Sequence, residues 1–168
     1  MKKLIVMAVT MIMAVAANAQ NPEKGLSFGV ETAIGSEWEL GVRGQYNFNK
    51  YIAWDVLNVK YAYDWNKEDF GTLGSFNVNW NEVTLTTGVR AFSPTFFKDR
   101  MKAFANIDLG YGALFGGDLN GNTNCFAVDF GVGLYVWKGL YAGYAFEALC
   151  NDGNHKDHLF RIGYNFTF

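Results

Sequence analysis

Apolar residues recur at every second position from Leu26 to Phe168, which is the period of a β-strand with two unlike faces. In the clearest segment, 126–136, large aliphatic or aromatic side chains alternate with residues that are mostly Ala, Asp and Gly. Turns rich in Gly and Asn separate one segment from the next. The pattern predicts eight strands, at 26–34, 38–48, 51–64, 76–92, 102–115, 126–136, 140–147 and 160–168.

Two of these segments change parity partway along, so that their apolar residues move to the other face. In the third segment the change falls at Val56 and Leu57, which predicts a β-bulge at that point. In the fourth segment a similar change falls near Asn81 and Glu82.

The connection between the sixth and seventh segments predicts a register. Val136 and Leu140 share the apolar face, so we expect them to pair across a turn that ends in Gly139, where glycine allows a positive φ. The same register places Asp129 opposite Glu147. Two like charges in that position require a nearby cation.

The bulky face of these strands decides where the protein resides. The interior of an eight-stranded barrel is only just wide enough to be filled by side chains, so it cannot hold a large apolar group from every second position. The bulky face must therefore point outward, toward lipid, while Gly on the other face makes room in a narrow lumen. We predict an all-β protein, an eight-stranded antiparallel up-and-down transmembrane β-barrel.

The first nineteen residues have the pattern of a secretory signal peptide. Lys2 and Lys3 precede an apolar run over 4–16, and Ala17-Asn18-Ala19 is a small-residue cleavage pattern. The run is too short to cross about 30 Å of hydrocarbon as a helix, so a membrane anchor is disfavoured. We expect residues 1–19 to be cleaved and residues 20–168 to form one barrel domain.

Composition changes this picture little. Half of the residues are hydrophobic, yet the mean hydropathy is −0.02 and the net charge −2. The near-neutral value is the average of an apolar face and a polar one. A chain with this charge has no basic footprint for nucleic acid.

The connections between segments alternate between short and long. The longer ones, 66–75, 116–124 and 150–157, fall on one side, and short periplasmic turns with longer outer loops are typical of membrane barrels. We therefore expect both termini in the periplasm.

At this point the chain resembles the small outer-membrane β-barrels of the OmpA/OmpX type, from Leu26 to Phe168. The chain ends on alternating aromatic residues, Tyr164, Phe166 and Phe168, which look like the C-terminal signal read by the barrel-assembly machinery. The resemblance implies a monomer in the bacterial outer membrane, in contact with outer-membrane lipid and lipopolysaccharide.

Charged residues on the lumen face are the main candidate site. We predict a network of Glu147, Arg161, Glu31 and Arg43, with Asp108 and Asp129 nearby, and Arg161 is well placed to supply the cation for Asp129 and Glu147. One interpretation is a packed salt-bridge core that closes the barrel, which the width of eight strands favours. The alternative is a narrow polar path for ions or small solutes. The inward charges are Glu31, Glu39, Arg43, Glu82, Arg90, Lys102, Asp108, Asp129, Glu147 and Arg161.

Two further pairs leave alternatives open. Cys125 and Cys150 lie near each other at the outer end, where export permits a disulfide, but strict alternation places them on opposite faces. His155 and His158 share the last outer loop, where a solvated loop is favoured over a metal site. Nothing in the sequence implies a cofactor.

Three functions remain for such a barrel. We expect a structural or surface-interaction role in envelope integrity or adhesion, with an extracellular ligand contacted through the outer loops. The second is the narrow channel. The third is an enzyme acting on lipid A, which would need a serine, a histidine and a carboxylate together at the outer rim. The nearby serines, Ser36 and Ser75, form no such pattern with His158, so we predict that the protein is not an enzyme.

Overall fold

The computed structural model describes residues 24–35, 37–64, 67–69, 75–77, 80–98, 100–116, 123–150 and 155–167. The strands are β1 (Gly25–Ile34), β2 (Glu37–Asn47), β3 (Ile52–Asp64), β4 (Lys67–Asp69), β5 (Ser75–Asn77), β6 (Trp80–Phe92), β7 (Lys102–Gly116), β8 (Thr123–Trp137), β9 (Leu140–Cys150) and β10 (His155–Thr167). The eight long strands form a closed barrel in which each strand pairs with its antiparallel neighbours in the order β1-β10-β9-β8-β7-β6-β3-β2. The two short strands, β4 and β5, form a separate hairpin between β3 and β6.

The predicted bulge in the third segment is confirmed. The pairing of β3 with β6 shifts register between Asp55 and Asn58. The hydroxyl of Thr87 donates to the backbone carbonyl of Asp55 at 2.9 Å, and the indole N–H of Trp54 donates to that hydroxyl at 3.0 Å. The Thr87 bond gives the Asp55 carbonyl a partner at the point where the ladder is interrupted.

The predicted parity change in the fourth segment is wrong. The pairing of β6 with β7 runs from Trp80 to Phe92 without a shift, and Ser75–Asn77 belongs to the β4–β5 hairpin instead. Asn81 occupies an outward position that the sequence pattern reserves for apolar residues. Its side-chain oxygen accepts a hydrogen bond from the Tyr61 hydroxyl on the neighbouring strand, so a polar residue is tolerated there without a bulge.

The predicted pairing of Val136 with Leu140 is also wrong by one residue. Leu140 pairs with Trp137, and the register shift falls between Tyr135 and Trp137. The turn has two residues, Lys138 and Gly139, with φ of 35° and 94°. A two-residue turn with positive φ at both positions follows the twist of the strands, so the extra residue is absorbed as a bulge within β8.

The two faces of the barrel are inverted relative to those of a water-soluble protein. Large apolar side chains point outward, with Leu26 62% and Ile107 52% exposed, whereas charged side chains such as Arg43 and Asp129 are buried inside. In the described part of the chain there is no helix long and apolar enough to span a membrane. Because so large an apolar surface is unstable in water, we expect the outward face to contact lipid.

The effect of a charge on this outward face is predicted to depend on depth. Leu109→Arg, at the middle of β7, should lower the free energy of unfolding in phospholipid vesicles by about 2–4 kcal/mol. The matched variant Leu26→Arg, at the start of β1, should cost only about 0–1 kcal/mol because its charge reaches the interface. Urea unfolding followed by tryptophan fluorescence measures both values. Equal losses would contradict a lipid-embedded band.

Candidate functional site

Lys60 lies at the centre of the lumen and joins strands from opposite walls of the barrel. Its ammonium group donates at 2.6 Å to Asp129 and at 2.6 Å to Glu147, and lies 3.5 Å from Glu39. The side chain of Lys60 is only 1% exposed. Asp129 and Glu147 are directly opposed on β8 and β9, so the cation that their juxtaposition requires comes from β3.

Arg161 supplies a second cation to Asp129 but, contrary to the prediction, forms no described ion pair with Glu147. Its guanidinium donates to Asp129 at 2.6 Å and lies 3.6 Å from both Glu31 and Glu39. Asp129 therefore accepts from two cations that approach from β3 and β10. The carboxylate is fully buried, and such short charge-assisted bonds are the strong ones in proteins.

The ion pairs continue toward the end of the barrel where the chain enters and leaves it. Arg43 donates to Glu31, which also accepts from the hydroxyl of Tyr141. Arg43 lies 3.7 Å from Asp55, and the Arg90 guanidinium binds Asp55 through two bonds of 3.0 and 3.1 Å. One chain of ion pairs thus links β1, β2, β3 and β6.

Aromatic rings fill the lumen next to these arginines. Phe104, Tyr135 and Tyr141 pack with centroid distances between 5.2 and 5.5 Å. The guanidinium of Arg90 lies 4.6 Å from the centre of the Phe104 ring. The rings and the guanidinium together occlude this end of the lumen, which we call the aromatic plug.

Glycine positions on the lumen face make the plug and the network sterically feasible. A side chain at Gly163 would collide with the ring of Tyr141, and one at Gly41 would approach the Glu31 side chain to 3.0 Å. A glycine on one strand thus leaves space for a large side chain on the neighbouring strand. The alternation of Gly with bulky residues in the sequence is consistent with this packing.

The structure brings together five of the six predicted network residues: Glu31, Arg43, Asp129, Glu147 and Arg161. The sixth, Asp108, is fully buried beside them but makes no ion pair with a described residue. Its Oδ2 accepts at 2.7 Å from Asn106, and the same amide donates to Asp129 at 3.1 Å.

The network centres on Lys60, a residue outside the set predicted from the sequence. Asp55 and Tyr141 are further members that the prediction does not include. Lys60 lies between two outward residues, Val59 and Tyr61, so the alternation alone marks it as inward. Its partners could not be read from the pattern, because period two gives the face of a residue but not its neighbour across the lumen.

The two cysteines lie on opposite faces of the barrel wall, and both histidines lie on β10. Both cysteines are free thiols; Cys125 is buried in the lumen and Cys150 exposed outside, as strict alternation requires. The Nδ1 of His158 shares a hydrogen bond with the hydroxyl of Tyr144, and His155 begins β10. Within the described ranges, no group of three or more His, Cys, Asp or Glu could hold a metal ion.

The structure describes two of the three aromatic residues of the predicted assembly signal. The rings of Tyr164 and Phe166 pack at 4.8 Å on the last strand, whereas Phe168 lies outside the described residues. Of the two serines that the sequence pattern places near the outer rim, Ser36 also lies outside the described residues, and Ser75 begins β5.

Comparison with known proteins identifies the architecture. No protein-family model and no curated protein matches the chain. Among solved structures, the N-terminal β-barrel domain of Pseudomonas aeruginosa OprF matches at 14% identity with a TM-score of 0.52, covering 88% of this chain and 100% of its own. Neisserial surface protein A matches at 10% identity with a TM-score of 0.61, over 85% of this chain and 94% of its own.

A third match, the outer membrane enzyme PagL, has 15% identity and a TM-score of 0.55, covering 83% of this chain and 99% of its own. At these identities the likeness concerns the fold alone. The chain has the fold of the small eight-stranded outer-membrane β-barrels.

Removing the central cation should destabilise the barrel strongly. Lys60→Met is expected to lower the free energy of unfolding by about 3–5 kcal/mol, because it leaves buried carboxylates with too few cations. Lys102→Met is the matched control. It removes a half-buried ammonium 4.1 Å from the Phe92 ring, a contact worth about 0.5–1 kcal/mol.

Urea titration in phospholipid vesicles compares the two variants. Adding Glu147→Gln to Lys60→Met should restore part of the loss, since Lys60 is the only described ion-pair partner of Glu147 and the second change neutralises the carboxylate left without a cation. Equal losses from the two lysine variants, or no recovery in the double variant, would show that the network is not held by Lys60.

Proposed function

We propose that this protein is an integral outer-membrane β-barrel with a sealed lumen and a structural or surface-interaction role, in envelope integrity or adhesion. The outward apolar face, the fold of the matched solved structures and the signal-peptide pattern of residues 1–19 support this location. The alternation of short turns and longer loops supports a periplasmic position for both termini.

The filling of the lumen is the observation that carries the proposal. Lys60 bridges the walls at mid-lumen, and the aromatic plug, which includes the Arg90 guanidinium, occupies the end beyond Arg43. These side chains are almost completely buried. The cross-section of the barrel at their level is therefore filled by protein atoms rather than by a water-filled path. A closed lumen leaves the outer loops as the surfaces on which a partner would act.

The partners follow from this location. Outer-membrane lipid and lipopolysaccharide would cover the outward face, and the barrel-assembly machinery would read the C-terminal aromatic residues. An extracellular ligand would meet the connections between β3 and β6, between β7 and β8, and between β9 and β10. We expect a monomer, since closure of the barrel leaves no unpaired strand edge.

The arrangement of serine and histidine supports a non-enzymatic role. A hydrolase of the serine type needs its nucleophile within hydrogen-bond reach of a base. Here the described His158 ring bonds to Tyr144, whereas Ser27 accepts from Asn47 and Asn165 at the other end of the barrel. These contacts do not form a nucleophile and base.

Conductance tests the sealed lumen. The purified, folded barrel in planar bilayers should carry no sustained current, because ion pairs and rings block the lumen. A porin of known conductance in the same bilayers serves as the positive control, and heat-modifiable gel migration confirms that the barrel is folded. A sustained, charge-selective current would replace this proposal with the narrow channel for ions or small solutes.

Loop replacement tests the surface role. Exchanging residues 117–122 for a short Gly-Ser turn should leave the barrel in the outer membrane fraction, because those residues lie beyond the ends of β7 and β8. Host-cell attachment or resistance to envelope stress should fall. A matched exchange at the short Lys138-Gly139 turn should leave both unchanged. Loss of neither property in this variant, or in matching exchanges of the connections between β3 and β6 and between β9 and β10, would contradict a surface-interaction role.

A further inference from the structure

The turns at one end of the barrel carry exposed basic side chains. Because each strand runs antiparallel to its neighbours, the β2–β3, β6–β7 and β8–β9 connections all lie at the end where the chain enters and leaves the barrel. Together these connections contain four basic residues and one acidic residue, Asp99. The basic residues are all exposed, and we call them the basic rim: Lys50, Lys98, Arg100 and Lys138.

The connections at the opposite end of the barrel have the reverse charge balance. Their sequences contain one basic residue and four acidic ones, which are Lys67, Glu68, Asp69, Asp118 and Asp152. Closure of the sheet does not account for the basic rim, because none of its four members belongs to a strand or forms an ion pair with a described residue. The separation of charge between the two ends therefore needs another explanation.

The backbone of the turns does not account for the lysines either. Lys98 and Lys138 have φ of 57° and 35°, in the left-handed region that favours glycine or asparagine over other residues. In a two-residue turn such as Lys138-Gly139, asparagine is the usual first residue. Lysine is thus a poor choice for the geometry at both positions, and its charge is the property that distinguishes it from asparagine.

Exposed aromatic rings lie beside these lysines. The ammonium group of Lys50 lies 5.1 Å from the centre of the Tyr51 ring, and that of Lys138 lies 5.7 Å from the centre of the Trp137 ring. Trp137 is 59% exposed, and Phe97, next to Lys98 in its turn, is 75% exposed. Aromatic rings next to lysine are suited to the boundary of a membrane, where one side is apolar and the other holds the headgroups.

We propose that the basic rim binds the phosphate groups of anionic phospholipids in the leaflet at that end of the barrel. A leaflet presents phosphates around the whole circumference, so cations on three separate turns can each contact a headgroup without converging on one point. A basic residue held near an anionic membrane surface contributes a preference of about fivefold. The inference rests on the proposed membrane location, and with both termini in the periplasm the leaflet concerned is the periplasmic one.

The direct test measures the association of lipids with the folded barrel. The mature chain is refolded into phosphatidylcholine vesicles, and spin-labelled phosphatidylglycerol or spin-labelled phosphatidylcholine is added to separate samples. Electron paramagnetic resonance gives the fraction of each lipid that the barrel immobilises. Phosphatidylglycerol should associate severalfold more strongly than phosphatidylcholine. This preference should shrink at about 1 M salt, where the screening length falls to about 3 Å.

A pair of substitutions in the turns assigns the preference to the rim. Lys98→Asn combined with Lys138→Asn removes two charges and supplies a residue that tolerates the left-handed backbone. The preference for phosphatidylglycerol should fall by at least half, whereas stability in phosphatidylcholine vesicles should stay the same or rise. Lys67→Asn combined with Lys156→Asn is the matched control, with the same change of net charge at the other end of the barrel. Its preference should stay close to that of the unmodified chain, because acidic residues neighbour both lysines in the sequence.

The outcomes separate this proposal from the one on which it rests. A chain that does not fold into phosphatidylcholine vesicles, judged by heat-modifiable gel migration, would overturn the membrane location and the lipid site together. A folded barrel that binds both lipids equally, or an equal loss of preference in the rim and control variants, would overturn the lipid site alone. Retention on purified peptidoglycan that requires Lys98 and Lys138, without a lipid preference, would assign the basic rim to that polymer instead.

Discussion

The constraint on which this structure depends is the width of a closed eight-stranded barrel. Once the sheet closes, its lumen admits side chains and little else, and every polar group that points inward must find a partner among the others. Lys60 meets this constraint by reaching Asp129 and Glu147 from the opposite wall. Arg161 and Arg43 form further ion pairs with buried carboxylates along the barrel.

The same constraint explains why glycine and large residues alternate inside. A narrow lumen can hold Tyr141 only if the facing position, Gly163, has no side chain. It can hold Lys60 and Glu31 at one level only if Gly41 lies between them. The glycine content of the chain is therefore a packing requirement of the lumen rather than a sign of turns alone.

The alternation of the sequence sufficed to predict the closed barrel, the outward apolar face and the bulge at Val56 and Leu57. It failed where a residue broke the pattern for a local reason. Asn81 is held outside by Tyr61, and the two-residue turn at Lys138 shifted the end of β8 by one residue. The alternation also gave no means of finding the partners of Lys60, because these depend on which residues of β3, β8 and β9 share a level in the lumen.

The buried charges also resolve an ambiguity that the apolar pattern leaves. A slip of two residues between neighbouring strands keeps every bulky side chain outside, so alternation cannot distinguish the correct register from its nearest alternatives. In such a slip between β8 and β9, Asp129 would face Ala145 or Leu149 instead of Glu147. Lys60 would then lose one of its two 2.6 Å partners, and a buried carboxylate would stand without its cation.

Well-packed apolar residues often stabilise a protein as much as a buried ion pair does, so net stability is a weak reason for a lumen network of this size. A stronger reason for the network is that its ion pairs specify the register of the strands. On this account the lumen charges serve the folding of the barrel, and the outer loops are not needed for it.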